Sequence, residues 1–229
     1  MILPDDKPWT EVMISSWSEF DHQLEKLKHR DWLFRGHSDA SWGLTTSLDR
    51  LFNDSEEIIK KARKKGRTFA KKQHEELLLQ SFQKSANLFL KFLPDNSKPL
   101  EWLSIMQHFG TPTRLLDVTL SPHIATFFAL EDGIDDSCVF AFNHAEIKRI
   151  NETLVQHKTY KDAQEEIFAN KKRYVTVFNP EFGNERLIPQ KGLFLVPSQI
   201  DYAFENFLAD YPQFADDEVC IKSSVISFL

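Results

Sequence analysis

Gln107-His108-Phe109-Gly110-Thr111-Pro112-Thr113-Arg114-Leu115-Leu116-Asp117-Val118-Thr119 crowds polar, charged and turn residues into a stretch flanked by strong helix signals. Ahead of it, Trp102, Ile105, Met106 and Phe109 follow the i, i+3, i+4, i+7 spacing of one helix face, and Gly110 supplies a C-terminal stop. Behind it, Ser121 offers a side-chain acceptor for a helix start, and Pro122 suits the first helical position, where no amide hydrogen bond is lost. Residues 115–119 are too short for a helix and apolar enough for a buried strand. The pattern predicts helix, glycine turn, strand and capped helix. Arg114 and Asp117 then stand in or beside a buried strand, where an unpaired charge is strongly disfavoured. Either the two pair internally, or they face a ligand cleft at the strand end, beside the positive pole of the helix that starts at Ser121. The two readings are compatible.

The chain of 229 residues is long enough for one large domain or two small ones, and no break in composition favours two. A single domain over residues 1–229, with a helical N-terminal portion, is expected. Hydrophobic residues at 41% and charged residues at 27% describe an ordinary globular protein, and twenty phenylalanines supply its core. A net charge of −6 argues against nucleic-acid binding over the whole surface, because neutralising phosphates needs concentrated positive charge. Lys60, Lys61, Arg63, Lys64, Lys65, Arg67, Lys71 and Lys72 are the local exception. That run is either a solvated helix end or a contact for a phosphate backbone or acidic partner, and it is the only route to nucleic acid.

Cys138 and Cys220 lie in apolar, strand-like surroundings without a C-x-x-C pair, as buried free thiols of a reducing compartment do. Met1-Ile2-Leu3-Pro4-Asp5-Asp6 has no basic start before an apolar run, and no apolar segment reaches the ~20 residues of a membrane span. A soluble, cytoplasmic protein is expected. None of the eight histidines falls into metal-ligand spacing, and neither a G-x-S-x-G elbow nor a phosphate-binding glycine loop is present.

Elsewhere, Ser16 and Glu19 form a capping box for a helix with Phe20, Leu24 and Leu27 on its buried stripe. Trp32-Leu33-Phe34 reads as a strand ending in the loop Arg35-Gly36-His37-Ser38-Asp39. A basic helix opens at Ser55, and a longer one carries Phe69, Leu77, Leu78, Phe82, Phe89 and Phe92 until Pro94. Strands are expected over residues 138–142, 174–178, 192–196 and 219–229. Helices are expected after Asn143, near residues 163–168, and through Ile200, Phe204, Phe207 and Leu208. Helices gather early and strands late, which predicts an α+β fold around a central mixed or antiparallel sheet.

Phe34-Arg35-Gly36, the 107–119 stretch, and Arg186-Leu187-Ile188-Pro189-Gln190-Lys191-Gly192-Leu193-Phe194 together resemble the FRG domain family, in the family's order and across about residues 30–200. That family's layout resembles the ADP-ribosyltransferase fold, in which an early strand ends on Arg or His, a Ser/Thr strand leads into a helix, and a late strand supplies Glu or Gln. The resemblance places Arg35, the Asp117-Val118-Thr119 strand, and Glu185 or Gln190 at those three points. It implies NAD as substrate or ligand. Arg35, Gly36, Thr113, Arg114 and Thr119 would contact that cofactor, and Glu185, Gln190 or Asp117 would stabilise an oxocarbenium-like transition state.

It also implies a bacterial or phage-conflict setting, as defence protein or toxin, with a nucleotide ligand and a protein partner. The implied activity is ADP-ribosyl transfer or NAD cleavage; the alternative is a non-catalytic ligand-sensing or interaction module. Gln190 rather than Glu185 falls on the family's motif, and an amide lacks the full negative charge of a transferase carboxylate. Plainer roles stand beside these: Gly36 as a tight turn, Arg35 paired internally with Asp117, Gln190 satisfying backbone groups near Gly192, and His37 and His108 as structural histidines.

Overall fold

Strand order places the Phe34-Arg35-Gly36 strand in the middle of a seven-stranded sheet. The computed structural model describes residues 8–27, 31–66, 70–131, 136–155, 167–168, 172–181, 187–210 and 220–225. Its elements run β1 (Thr10–Ile14), α1 (Trp17–Leu27), β2 (Trp32–His37), α2 (Ser47–Asp54), α3 (Glu56–Lys64), α4 (Lys71–Ala86), α5 (Pro99–His108) and β3 (Leu116–Thr119). There follow α6 (Pro122–Leu130), β4 (Ser137–Asn143), α7 (His144–Val155), β5 (Val175–Phe178), α8 (Leu187–Gln190), β6 (Gly192–Pro197), α9 (Phe204–Ala209) and β7 (Cys220–Val225). The sheet order is β1-β7-β4-β2-β3-β6-β5, with β1 parallel to β7 and every other pair antiparallel. This is an α+β fold on a mixed sheet.

The central stretch folds as its local signals dictate. Gly110 takes the left-handed conformation (φ 77°) that ends α5, and the Ser121 hydroxyl accepts from the Ile124 amide at 3.4 Å to cap α6. Thr46 likewise caps α2 by accepting from the Asp49 amide at 3.1 Å. Four expectations need correction. Arg35-Gly36-His37, expected as loop, continues strand β2, because β4 pairs with it as far as His37 opposite Cys138. The helix expected through Ile200 begins only at Phe204, although Ile200 is buried. The helix expected to run to Phe92 ends at Ala86, because a turn there returns Phe89 to stack with Phe82 and Phe109 at 5.5 and 5.0 Å. Asp117 lies in the expected strand, yet its side chain is 63% exposed. The helix expected near residues 163–168 falls outside the described residues except for Ile167 and Phe168.

Alternation along the strands builds two faces. Leu33, Phe140, Phe142, Leu116 and Val118 join one core cluster, whereas Phe34, Val139 and Ala141 join α1 and α6 in another. Cys138 and Cys220 are buried free thiols, and burial pushes Cys138 up to about 12, so it stays protonated. No helix among the described residues is long and apolar enough to cross a membrane.

The closest approach in this packing occurs at Gly36. A β-carbon there would stand 1.9 Å from the Ala125 carbonyl oxygen and 2.8 Å from the Ala129 amide nitrogen, both backbone atoms of α6. Ala125 and Ala129 are themselves buried, so at this point α6 meets β2 through small residues. Register completes the frame. β2 pairs with β4 from Trp32 to His37, but meets β3 only at Phe34 opposite Thr119, and beyond that pair β2 and β3 part. Gly36→Ala is expected to lower unfolding free energy by about 3 kcal/mol or more, since the clash is with backbone. Urea denaturation checks it, and an unchanged midpoint would show that α6 can lift off β2 without cost.

Candidate functional site

A cleft of about 540 Å³ opens where β2 and β3 part. Arg35, Asp117, Thr119 and Gln190 line it from the sheet side, and Ser104, Gln107 and His108 line it from α5. Arg35, Asp117 and Gln190 therefore share one cavity, although they come from three separate segments. Gly36 also borders the cleft, where its part is the close packing of α6.

Arg35 is held rather than mobile. Its Nε donates to His37 Nε2 at 2.8 Å, and its Nη1 donates to the Asp117 carbonyl oxygen at 2.8 Å, bridging the opening between the strands. The Asp117 carboxylate approaches the same Nη1 at 3.9 Å. Burial presses the Arg35 pKa down while Asp117 opposes it, and a guanidinium stays charged throughout. These contacts use two of its five N–H donors, and the Nη2 pair has no partner among the described residues. At 18% exposure, the side chain is part-buried with donors left over.

His37 makes this possible by remaining neutral. Burial, reinforced by the Arg35 charge, pushes its pKa down to about 3, so Nε2 accepts and the proton resides on Nδ1. The support that His37 gives Arg35 was missed, because residues 35–37 were expected in a loop; once β2 runs through His37, strand alternation puts residues 35 and 37 on one face.

The Thr119 hydroxyl donates to the Gln190 carbonyl oxygen at 2.6 Å and accepts from the Ser121 amide at 3.1 Å. It thus ties the end of β3 to α8 and to the start of α6. Gln190 itself, a residue with an uncharged side chain, is part of the cleft wall.

Arg114 and Thr113 do not join the cleft. Arg114 is 3% exposed and forks onto Glu75 of α4, with Nε 2.8 Å from Oε1 and a second bond from Nη2 to Oε2. Nη1 reaches the Pro197 and Ser198 carbonyl oxygens at 3.4 and 3.5 Å, and the guanidinium lies 4.5 Å from the Phe168 ring. Its partner is Glu75 rather than Asp117, because a buried charge needs a partner that can be buried with it. Thr113 is fully buried, and its hydroxyl bonds the Gln107 side chain and the Leu115 amide.

Glu185 lies outside the described residues. Of the basic run, Lys60 pairs with Glu56 and Glu57 at 3.0 and 3.6 Å, Lys71 pairs with Asp49 at 2.7 Å, and Arg67 lies outside the described residues. No cluster of three or more His, Cys, Asp or Glu that could hold a metal occurs among the described residues.

Residues 30–138 match the FRG domain family, a span that includes Arg35, α5, β3 and α6 and stops short of Gln190. No curated protein and no solved structure matches the chain.

The depressed His37 pKa links the site to stability. Below 6.5 the unfolded chain takes up a proton that the folded chain refuses until about pH 3, so stability falls as pH drops through that window. His37→Gln keeps an acceptor for Arg35 and is expected to flatten this acid-side loss, as measured by urea denaturation across the window. Identical slopes for the two proteins would show that His37 does not stay neutral.

Proposed function

From the FRG domain that this chain carries, we propose that the cleft between β2 and β3 binds NAD or a related nucleotide. The pinned Arg35 carries this reading: an always-charged fork, fixed by His37 and the Asp117 backbone, with donors uncommitted at the edge of a cavity of about 540 Å³. Such a fork suits a diphosphate or a ribose edge, and the volume falls within the roughly 300–1,000 Å³ of small-molecule sites.

Asp117 is the one carboxylate among the described residues lining the cleft. In this reading it stabilises positive charge that develops on the ribose as nicotinamide departs. In that step the C1′–N glycosidic bond breaks and its electron pair leaves with nicotinamide. An acceptor lone pair forms the new bond to C1′, and the acceptor's proton passes to Asp117 or solvent. Water as acceptor gives NAD cleavage; a macromolecule gives ADP-ribosyl transfer. The proposed setting is a cytoplasmic defence or toxin system with a protein partner.

A second reading keeps the ligand and removes the chemistry. Gln190 is uncharged, and Asp117 already leans toward Arg35 at 3.9 Å, so the cleft has little free negative charge to offer a cationic transition state. It would then act as a ligand sensor.

Incubation with labelled NAD separates the two. Arg35→Lys, which loses the planar fork but keeps the charge, is expected to weaken binding about ten- to a hundredfold, and to lower the thermal midpoint through the lost bonds to His37 and the Asp117 carbonyl oxygen, so binding is compared well below both midpoints. Asp117→Asn is expected to cut nicotinamide release at least about a hundredfold if the protein is an enzyme. Binding without release selects the sensor, and equal binding by wild type and Arg35→Lys contradicts the cleft assignment.

A further inference from the structure

Helix α5 contributes to the lining of the cleft, and two of its residues are unusual. Ser104 is 1% exposed and borders the cavity, yet its hydroxyl has no hydrogen-bond partner among the described residues. Buried hydroxyls are ordinarily satisfied, so this one is left for something that enters the cleft. Gln107 follows at i+3 on the same helix face.

The neighbours of Gln107 decide which way its amide points. The Thr113 backbone is clamped by Ser47, whose hydroxyl accepts from the Thr113 amide at 2.9 Å, and the Leu115 amide donates to Thr113 Oγ1 at 3.2 Å. Thr113 then gives its single hydroxyl proton to Gln107 Oε1. That network assigns the Gln107 oxygen to Thr113 and leaves the Nε2 donors for the cleft. Ser104 can donate or accept, Gln107 donates, and neither carries charge. Phe128, Leu193 and Phe194 add apolar surface beside them. The cavity therefore carries two kinds of lining, the charged Arg35 and Asp117 and the neutral hydrogen-bonding Ser104 and Gln107 with apolar residues.

We propose that Ser104 and Gln107 form a specificity wall for a planar ring bearing a primary carboxamide. The carbonyl oxygen would accept from Gln107 Nε2, and the amide N–H would donate to Ser104 Oγ. This rests on the nucleotide reading of the cleft and narrows it to the nicotinamide end, leaving the diphosphate and ribose to Arg35.

Calorimetric titration of the intact chain tests the wall, using carba-NAD, whose glycosidic bond cannot be cleaved, and ADP-ribose, which keeps the diphosphate and lacks the ring amide. Wild type is expected to bind carba-NAD about tenfold more tightly than ADP-ribose. Ser104→Ala is expected to erase most of that preference, leave ADP-ribose affinity unchanged, and keep the thermal midpoint at or above wild type, since the deleted hydroxyl has no partner in the unliganded fold. A lower midpoint for Ser104→Ala would assign the hydroxyl a structural role and overturn the proposal. Equal affinities for the two ligands in wild type, an unchanged preference in the variant, or an equal loss for both would also overturn it. ADP-ribose binding without preference removes only the wall, whereas failure of both ligands to bind removes the nucleotide reading as well.

Discussion

At Gly36 the backbone of α6 comes so close to β2 that a single added carbon would stand 1.9 Å from the Ala125 carbonyl oxygen. That approach sets what its neighbours on the strand do. With Gly36 turned toward α6, alternation sends Arg35 and His37 to the other face, where His37 packs edge-on against Phe140 with ring centroids 5.3 Å apart. The same helix is capped by Ser121 just past the end of β3, whose last residue is tied to α8 through Thr119. β3 is thereby held at both of its neighbours while touching β2 at one pair only, and Arg35 is the side chain that reaches across the opening.

The buried and part-buried cations divide according to how fully they are satisfied. Arg114 has a forked carboxylate, two carbonyl oxygens and an aromatic face, and it is buried away from the cleft. Lys222 is similarly settled by the Ala40 carbonyl oxygen at 2.5 Å and Glu11 at 3.1 Å. Arg35 receives a neutral imidazole, a peptide oxygen and a carboxylate that is mostly in solvent. Its charge is only partly compensated, and its geometry is fixed in advance. Fixed donors facing a cavity favour ligand recognition because little ordering is required when the ligand arrives. This contrast separates the charges that hold the fold from the one that waits at the cleft.

Local signals made the centre of the molecule legible. The glycine stop at Gly110, the Ser121 cap and the short apolar run between them each act within a few residues, and the structure follows them closely. The Thr46 cap of α2 is of the same local kind, but helix α2 was not expected from the sequence. Strand β1 was harder, because Thr10–Ile14 is exposed at most positions and owes its place to parallel pairing with β7 from the far end of the chain. The partner of Arg114 was not legible at all: Glu75 lies on α4, 39 residues away, and no local spacing links the two. The association of Arg35, Asp117 and Gln190 came from the family motifs taken together, while the roles of His37 and Ser104 depend on burial and pairing that only three dimensions reveal.

The central claim is that the opening between β2 and β3, guarded by a pinned Arg35, is where a nucleotide binds. A crystal structure of the chain with carba-NAD tests this most directly. The account predicts ligand density across that opening, with the diphosphate or its ribose against the Arg35 Nη2 donors and α6 still resting on Gly36. Density elsewhere on the molecule, or a ligand in the cleft that leaves Arg35 bonded only to His37 and Asp117, would contradict it.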